Sequence, residues 1–332
     1  MTLTPADPHR RSTIVQFGVQ TWSTDVAAVG RFWRAADELG YARITYGDGL
    51  WDFTHDGWTM LGALAVTTRR ARIGPAVTYA FDPAAHHPSW LAKRAVTVDH
   101  LSRGRLDLRL AVGADGAATR AAWERHGIRY PGGAARVAAL DEALGLLAAL
   151  WGGDPVDADG PVFRLRGARL APGPLQRPGP PIWIAAMGPR ALALSARRAD
   201  GWEASYVTPA DFAARSARLD DLLVAAGRRP GDVRRSVETD VILAASREEQ
   251  QHWTRQFRAE RGVGAAEAVL ATALVGDAET VAARVLDYAS AGATDLMLGF
   301  ADFPATGMLE RFARDVLPRL SGAGGAQAGS AA

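Results

Sequence analysis

The chain predicts a (β/α)8 barrel carrying an insertion after its fourth strand, and three observations lead there. Strand-like and helix-like runs alternate with short connections from Ile14 to Leu320. Eight strand candidates lie near residues 15, 43, 75, 108, 184, 204, 240 and 297. Many strand ends carry glycine or another small residue, at the edge where α/β proteins bind ligands. An open doubly wound sheet is the alternative, but no GxGxxG follows the first strand.

Ile14–Thr21 alternates as a first strand, and Asp25 is placed to cap a helix over Val26–Leu39 that ends at Gly40. Tyr41–Tyr46 is a second strand, followed by a Gly47-Asp48-Gly49 turn, a helix over Thr59–Val66 and a third strand over Arg72–Tyr79. Pro88 suits the first turn of a helix whose apolar stripe is Leu91, Ala95, Val98 and Leu101. Ser102-Arg103-Gly104 stops that helix. Leu106, Leu108, Leu110 and Val112 follow as the fourth strand, with Gly113 at its end. Between Ala117 and Trp151 a helix is expected over Arg136–Leu150, with Leu140, Leu144 and Leu147 on one face. The Gly- and Pro-rich stretch 152–181 breaks the alternation and reads as an excursion, so the insertion runs over about 114–180. Strands over Pro181–Ala186, Gly201–Tyr206, Ser236–Ala244 and Thr294–Phe300 complete the set. Helices over Pro189–Ala199, Asp211–Ala226, Glu248–Glu260, Thr280–Ala291 and Met308–Leu320 lie between and after them. The organisation expected is a leader over 1–13, one barrel domain over 14–320 and a tail over 321–332.

Composition removes several function classes. The formal charge is +2, with no basic block, so nucleic acid is not an expected partner. There is no cysteine, hence no disulfide, thiolate nucleophile or cysteine-ligated metal. No apolar run reaches about eighteen residues, so no membrane span is expected, and a cytoplasmic location follows. No GxSxG elbow is present. His86 and His87 are adjacent and in extended chain point to opposite sides, so no metal site is expected.

At the strand ends, Gly113-Ala114 and Ala185-Ala186-Met187-Gly188 offer backbone N–H groups beside helix starts, an arrangement that binds phosphate. Trp22, Trp51, Phe53 and Tyr79 suit the walls of a site for a planar heterocycle.

Three segments carry a resemblance to the luciferase-like flavin and deazaflavin oxidoreductases, often called luciferase-like monooxygenases. They are GPAVTYAFDPAAHHPSWLAKRAVTVDHLSRGRLDLRLAVG at 74–113, PPIWIAAMGPRALALSARRADGW at 180–202 and VGDAETVAARVLDYASAGATDLML at 275–298. GYARITYGDG at 40–49 and RVAALDEALGLLAALW at 136–151 match more weakly. The resemblance implies the same barrel, a small-molecule substrate, a homodimer joined through the helices beside the second and third strands, and coenzyme F420 or FMN at the barrel mouth. It implies that Asp48 contacts the ring, and that Ala76 and Val77 form a non-prolyl cis peptide and bulge, continued by Thr78, that backs it. Gly113 and Ala114 would lie beside the ring system, Met187 and Gly188 near the phosphate, with Ser205 a further phosphate-side candidate.

The chain also departs from its resemblance. The sugar-phosphate dehydrogenases of that family carry a histidine after the acidic residue, where this chain has Gly49, and a glutamate after the fourth strand, where it reads Ala114-Asp115-Gly116. Their route to a sugar alcohol is therefore not expected. Asp48, Asp115 and Trp22 stand as the catalytic candidates, with His55 and His86 as other replacements for the missing groups. Arg120, Arg125 and Arg129 are candidates to receive an anionic substrate group, and LWDFTHDGW at 50–58 a source of apolar wall. Hydride transfer by coenzyme F420 is the expected chemistry, because it asks few acids of the protein. An oxygen-using FMN monooxygenase is the alternative, and a non-catalytic flavin carrier the second. The Ala- and Arg-rich composition fits a high-GC actinobacterial genome, where the deazaflavin is common.

Overall fold

The computed structural model describes residues 15–81 and 86–320; the expected leader and tail lie outside them. The chain alternates from the start: β1 (Gln16–Thr21), α1 (Val26–Glu38), β2 (Arg43–Tyr46), α2 (Gly57–Thr67), β3 (Arg72–Pro75), β4 (Thr78–Tyr79), α3 (Pro88–Ser102) and β5 (Leu108–Ala111). The excursion holds α4 (Ala117–Glu124), α5 (Gly133–Gly152) and an antiparallel ribbon of β6 (Val156–Asp159) and β7 (Arg164–Ala168). Alternation resumes with β8 (Ile182–Ala185), α6 (Pro189–Arg198), β9 (Gly201–Ser205), α7 (Pro209–Ala225) and β10 (Arg234–Leu243). α8 (Arg247–Arg261), α9 (Val263–Leu270), β11 (Leu274–Gly276), α10 (Ala278–Ser290), β12 (Asp295–Phe300) and α11 (Gly307–Arg311) complete it, and a π-helical turn over Phe312–Val316 continues α11.

Hydrogen-bonded neighbours run β3-β2-β1-β12-β10-β9-β8-β5-β4, every pair parallel. β3 and β4 are two halves of the third barrel strand. β4 pairs with β5, and Ile73 in β3 bridges to Leu106 just before β5, which closes the ring. β11 adds to the end of β10 outside that circuit. The result is the eight-stranded barrel, its third strand interrupted by a cis peptide between Ala76 and Val77.

Local chemistry accounts for the boundaries. Asp25, Asp56, Thr208, Ser246 and Asp277 each accept a backbone N–H in the first turn of the helix they cap. α3 ends as Arg103 and Gly104 take positive φ, 58° and 81°. Leu101 corrects the expected stripe, for it is 45% exposed and faces outward. The buried face of α3 instead includes Leu91, Ala95, Val98 and the polar pair Asp99 and Ser102. Asp99 accepts from the backbone N–H groups of Leu175 and Gln176, at 2.7 and 3.1 Å, and so pins the Pro-rich segment to the barrel. A second correction concerns 117–132, where no helix was expected: α4 forms, and buried Trp123 packs with Phe81 and Tyr130. α9 and β11 were likewise not anticipated, being too short to show a clear period.

The barrel lumen departs from the apolar layers usual in this architecture. At its amino-terminal end Arg43 pairs with Asp107 at 3.1 Å and with Asp295. One layer up, Arg109 pairs with Glu203, and both Arg43 and Arg109 lie 4.8 Å from the Trp183 ring centre. The Trp183 ring fits because Gly201 stands opposite; a Cβ there would overlap its ring atoms. Charges at this depth are tolerated only because they are paired and hydrogen-bonded.

Candidate functional site at the carboxyl ends of the strands

Above this polar lumen the strands open into a cavity of about 670 Å³, within the range of small-molecule and cofactor sites. Ala76 and Val77 from the interrupted third strand form one side. Ala111, Gly113, Ala114 and Asp115 follow from the end of β5, and Ala185, Met187 and Gly188 from the end of β8. Gln20, Glu203, Ser205 and Glu238 project from β1, β9 and β10, with Trp51 and Tyr79 as aromatic wall. Eleven of the residues singled out in the sequence therefore share one cavity: Trp51, Ala76, Val77, Tyr79, Gly113, Ala114, Asp115, Ala185, Met187, Gly188 and Ser205.

The rim beside β5 is held by an arginine that sequence reasoning missed. Arg136 in α5 donates to the carbonyls of Val112 and Gly113, at 2.6 and 3.2 Å, and to the Asp115 carboxylate at 2.7 Å. Its guanidinium stacks 4.3 Å from the Tyr130 ring centre. Tyr130 in turn donates its hydroxyl proton to Ala114 O at 2.7 Å. Gly113 takes φ +77°, and a Cβ there would collide with the Tyr130 hydroxyl, so glycine is needed on both counts. Asp115 is a solvated carboxylate, its side chain 82% exposed and its charge met by Arg136.

Asp48, Thr78 and Trp22 do not line the cavity. Asp48 is buried and accepts a hydrogen bond from the Thr78 hydroxyl. Trp58 Nε1 donates to the same hydroxyl at 3.2 Å. Burial pushes the Asp48 carboxyl up to about 6, against the opposing pull of the Thr78 hydrogen bond. Trp22 packs on Phe303 with ring centres 5.3 Å apart. His55 lies near Thr24 O, 3.0 Å from its Nε2, and His86 sits half-buried just before α3; neither faces the cavity. Arg120, Arg125 and Arg129 lie on or after α4 and do not line it, and Phe53 does not either.

Two carboxylates stand at the cavity floor. Glu203 accepts from Arg109 and, at 2.9 Å, from the Ser236 hydroxyl; burial raises its pKa against the Arg109 charge. Glu238 accepts from the Ser205 hydroxyl at 2.6 Å, and among the described residues no cation pairs with it. A signal for Glu238 existed. It lies inside the strand expected over Ser236–Ala244, two positions before Asp240 at the strand end and on the same face. Asp240 instead packs against Arg261 at 3.0 Å, and burial lifts its pKa to about 7. For Arg136, inside an Ala- and Leu-rich helix, no local signal existed.

At the other end of the cavity α6 begins. Its N-cap, Gly188, gives no side-chain hydrogen bond, so backbone donors of the first turn remain open beside Arg190, which lines the cavity. No cluster of metal-ligating residues occurs among the described residues.

The model of the luciferase-like monooxygenase family matches residues 5–295. The chain belongs to that family. Among curated relatives, it is 35% identical over 206 residues to a phthiodiolone/phenolphthiodiolone dimycocerosates ketoreductase from Mycobacterium sp. (strain JLS). That match covers 60% of this chain, and the chain spans about half the length of the curated relatives it matches. Among solved structures, the coenzyme F420-dependent tetrahydromethanopterin reductase of Methanopyrus kandleri superposes with a TM-score of 0.75 at 18% identity, covering 92% of this chain and 99% of that one. A monooxygenase from Streptomyces bottropensis gives 0.76 at 24% identity with the same coverage. At these identities the structural matches establish the shared barrel.

Proposed function

We propose that the protein is a coenzyme F420-dependent oxidoreductase that transfers a hydride to or from a small organic substrate. One observation carries this reading. The cavity is walled largely by backbone, small residues and aromatic rings, while Asp115, Arg136 and Glu203 are tied to one another or to the lumen, leaving few groups for acid–base work. Such a site leaves the reacting power to the cofactor.

The residues present fit a planar tricyclic cofactor. Ala76, Ala111, Gly113, Ala114 and Ala185 bring little more than backbone to the cavity wall, which leaves room for a flat ring against the Ala76–Val77 shelf. Met187, Gly188 and Arg190 at the start of α6 supply open amides and a guanidinium for the phosphate. When bound in its reduced form, the deazaflavin supplies a hydride. The protein's part is to orient the substrate between Trp51, Tyr79 and the floor, and to exclude water. The kinship with curated ketoreductases favours two-electron transfer over oxygen insertion. The test is a titration of purified protein with coenzyme F420 and, separately, FMN, followed by fluorescence quenching. Micromolar binding of the deazaflavin is expected; binding of FMN alone overturns the assignment.

We further propose a homodimer through α2 and α3. Trp90 and Val66 on these helices are 64% and 67% exposed, and Leu101 on α3 lies against Gly62 of α2. This apolar face fits an isologous interface.

A further inference from the structure

Glu238 is the one carboxylate of the cavity floor with no cationic partner among the described residues. Glu203 is met by Arg109 and Ser236, while Asp240 is held by Arg261 outside the cavity lining. Among the described residues, the Glu238 carboxylate accepts from the Ser205 hydroxyl and from no other side chain. A hydroxyl steadies a carboxylate but leaves its charge uncompensated. Trp51 and Tyr79 line the same cavity. Trp51 is braced by Phe53, stacked at 5.8 Å with 3° between planes, and meets Tyr79 edge-on at 6.3 Å. Tyr79 is fixed in turn by Trp123 at 5.4 Å. The Glu238 charge reaches the Tyr79 phenol, where it adds to burial in raising that pKa, so the phenol stays neutral. A carboxylate and aromatic rings lining one cavity attract an organic cation, through Coulomb attraction from the one and the negative ring faces of the others.

We propose that the part of the cavity between Glu238 on its floor and Trp51 and Tyr79 on its wall is a subsite for a cationic nitrogen of the substrate. This rests on the hydride-transfer function above and gives it a substrate class, an iminium ion or the corresponding amine. In the reducing direction, hydride from the reduced deazaflavin forms a new C–H bond at the iminium carbon. The π pair of the C=N bond moves onto nitrogen and cancels its charge. No proton is taken from the protein, in keeping with a cavity that lacks the histidine and glutamate of the sugar-phosphate enzymes. A ketone oxygen placed in the same subsite would face Glu238 with its own partial negative charge.

The test compares N-methylisoquinolinium with its neutral isostere 2-methylnaphthalene. Affinities are read by equilibrium dialysis on the full chain, with and without oxidised coenzyme F420. The wild type is expected to bind the cation about tenfold or more tightly than the isostere, a preference that weakens with salt. Glu238→Gln is expected to lose most of that preference while circular dichroism shows the fold retained; should that variant not fold, Trp51→Leu provides the same comparison. Equal affinity of the wild type for both probes, or a preference surviving in Glu238→Gln, overturns the subsite. Deazaflavin titration separates the two ideas. A cation preference without deazaflavin binding removes the cofactor assignment and leaves the subsite, whereas deazaflavin binding without the preference does the reverse.

Discussion

Asp48 shows what a side chain does when its neighbours, rather than its position in the chain, decide its role. It follows β2 in a Gly-Asp-Gly turn, where resemblance suggests ring contact, and its buried carboxyl is held by the Thr78 hydroxyl. Gly57 packs so closely on it that a Cβ at 57 would strike the Asp48 side chain and Cα. Its pKa is raised from 3.8 to about 6 in the folded chain. For an acid shifted upward, the associated stability is complete below the unfolded value, and it is lost as pH rises through the folded one. Over that window the loss comes to about 3 kcal/mol. Asp48→Asn removes the titration and keeps an acceptor for Thr78. From pH 4 to 7 the unfolding free energy of the variant, measured in urea against that of wild type, is expected to shift by up to this amount in the variant's favour. A difference that stays flat with pH would show that Asp48 does not titrate in this window. Residue types at strand ends thus pointed to the small walls of the cavity at Gly113 and Gly188, and the family resemblance pointed to Ala76. They could not reveal Arg136, whose importance comes from the carbonyls that another element brings to it.

At the scale of elements, the corner between α2, β3 and α3 depends on two charged side chains. Arg105 donates from Nε to Ser102 O at 2.7 Å, from Nη1 to Ala71 O at 2.6 Å, and from Nη2 to Ala65 O and Thr68 O at 2.8 and 2.9 Å. It thereby satisfies carbonyls at the end of α2, where cations are favoured. Asp37 at the end of α1 accepts the backbone N–H groups of Arg69, Arg70 and Ala71, which hold its carboxyl below the usual range although burial opposes them. Arg105→Ala is expected to lower stability by about 2–4 kcal/mol, because several partly buried carbonyls lose a charged donor at once. The urea midpoint reports it, and a change under about 0.5 kcal/mol would mean that water replaces the guanidinium. The basic turn after α3 was legible in the sequence as a helix stop. Its function as a bracket between two helices was not, since its partners lie more than thirty positions away.

For the whole molecule, one hydrophobic cluster extends from Val19 to Val316, around a lumen whose centre is charged. Its outer helices leave Trp90 and Val66 uncovered. If α2 and α3 join two copies, Trp90→Glu shifts sedimentation velocity from dimer to monomer without altering far-ultraviolet circular dichroism. A wild type that sediments as a monomer at tens of micromolar refutes the interface. Periodicity, caps and small residues at strand ends were enough to determine the alternation, the eight strands and the edge at which the cavity opens, because each is a local property read within a few residues. Only the tertiary structure decided which charges are paired. Arg109 and Glu203 stand 94 positions apart and Ser205 and Glu238 33 apart. Barrel closure brings each pair together, and among the described residues it gives Glu238 no cationic partner.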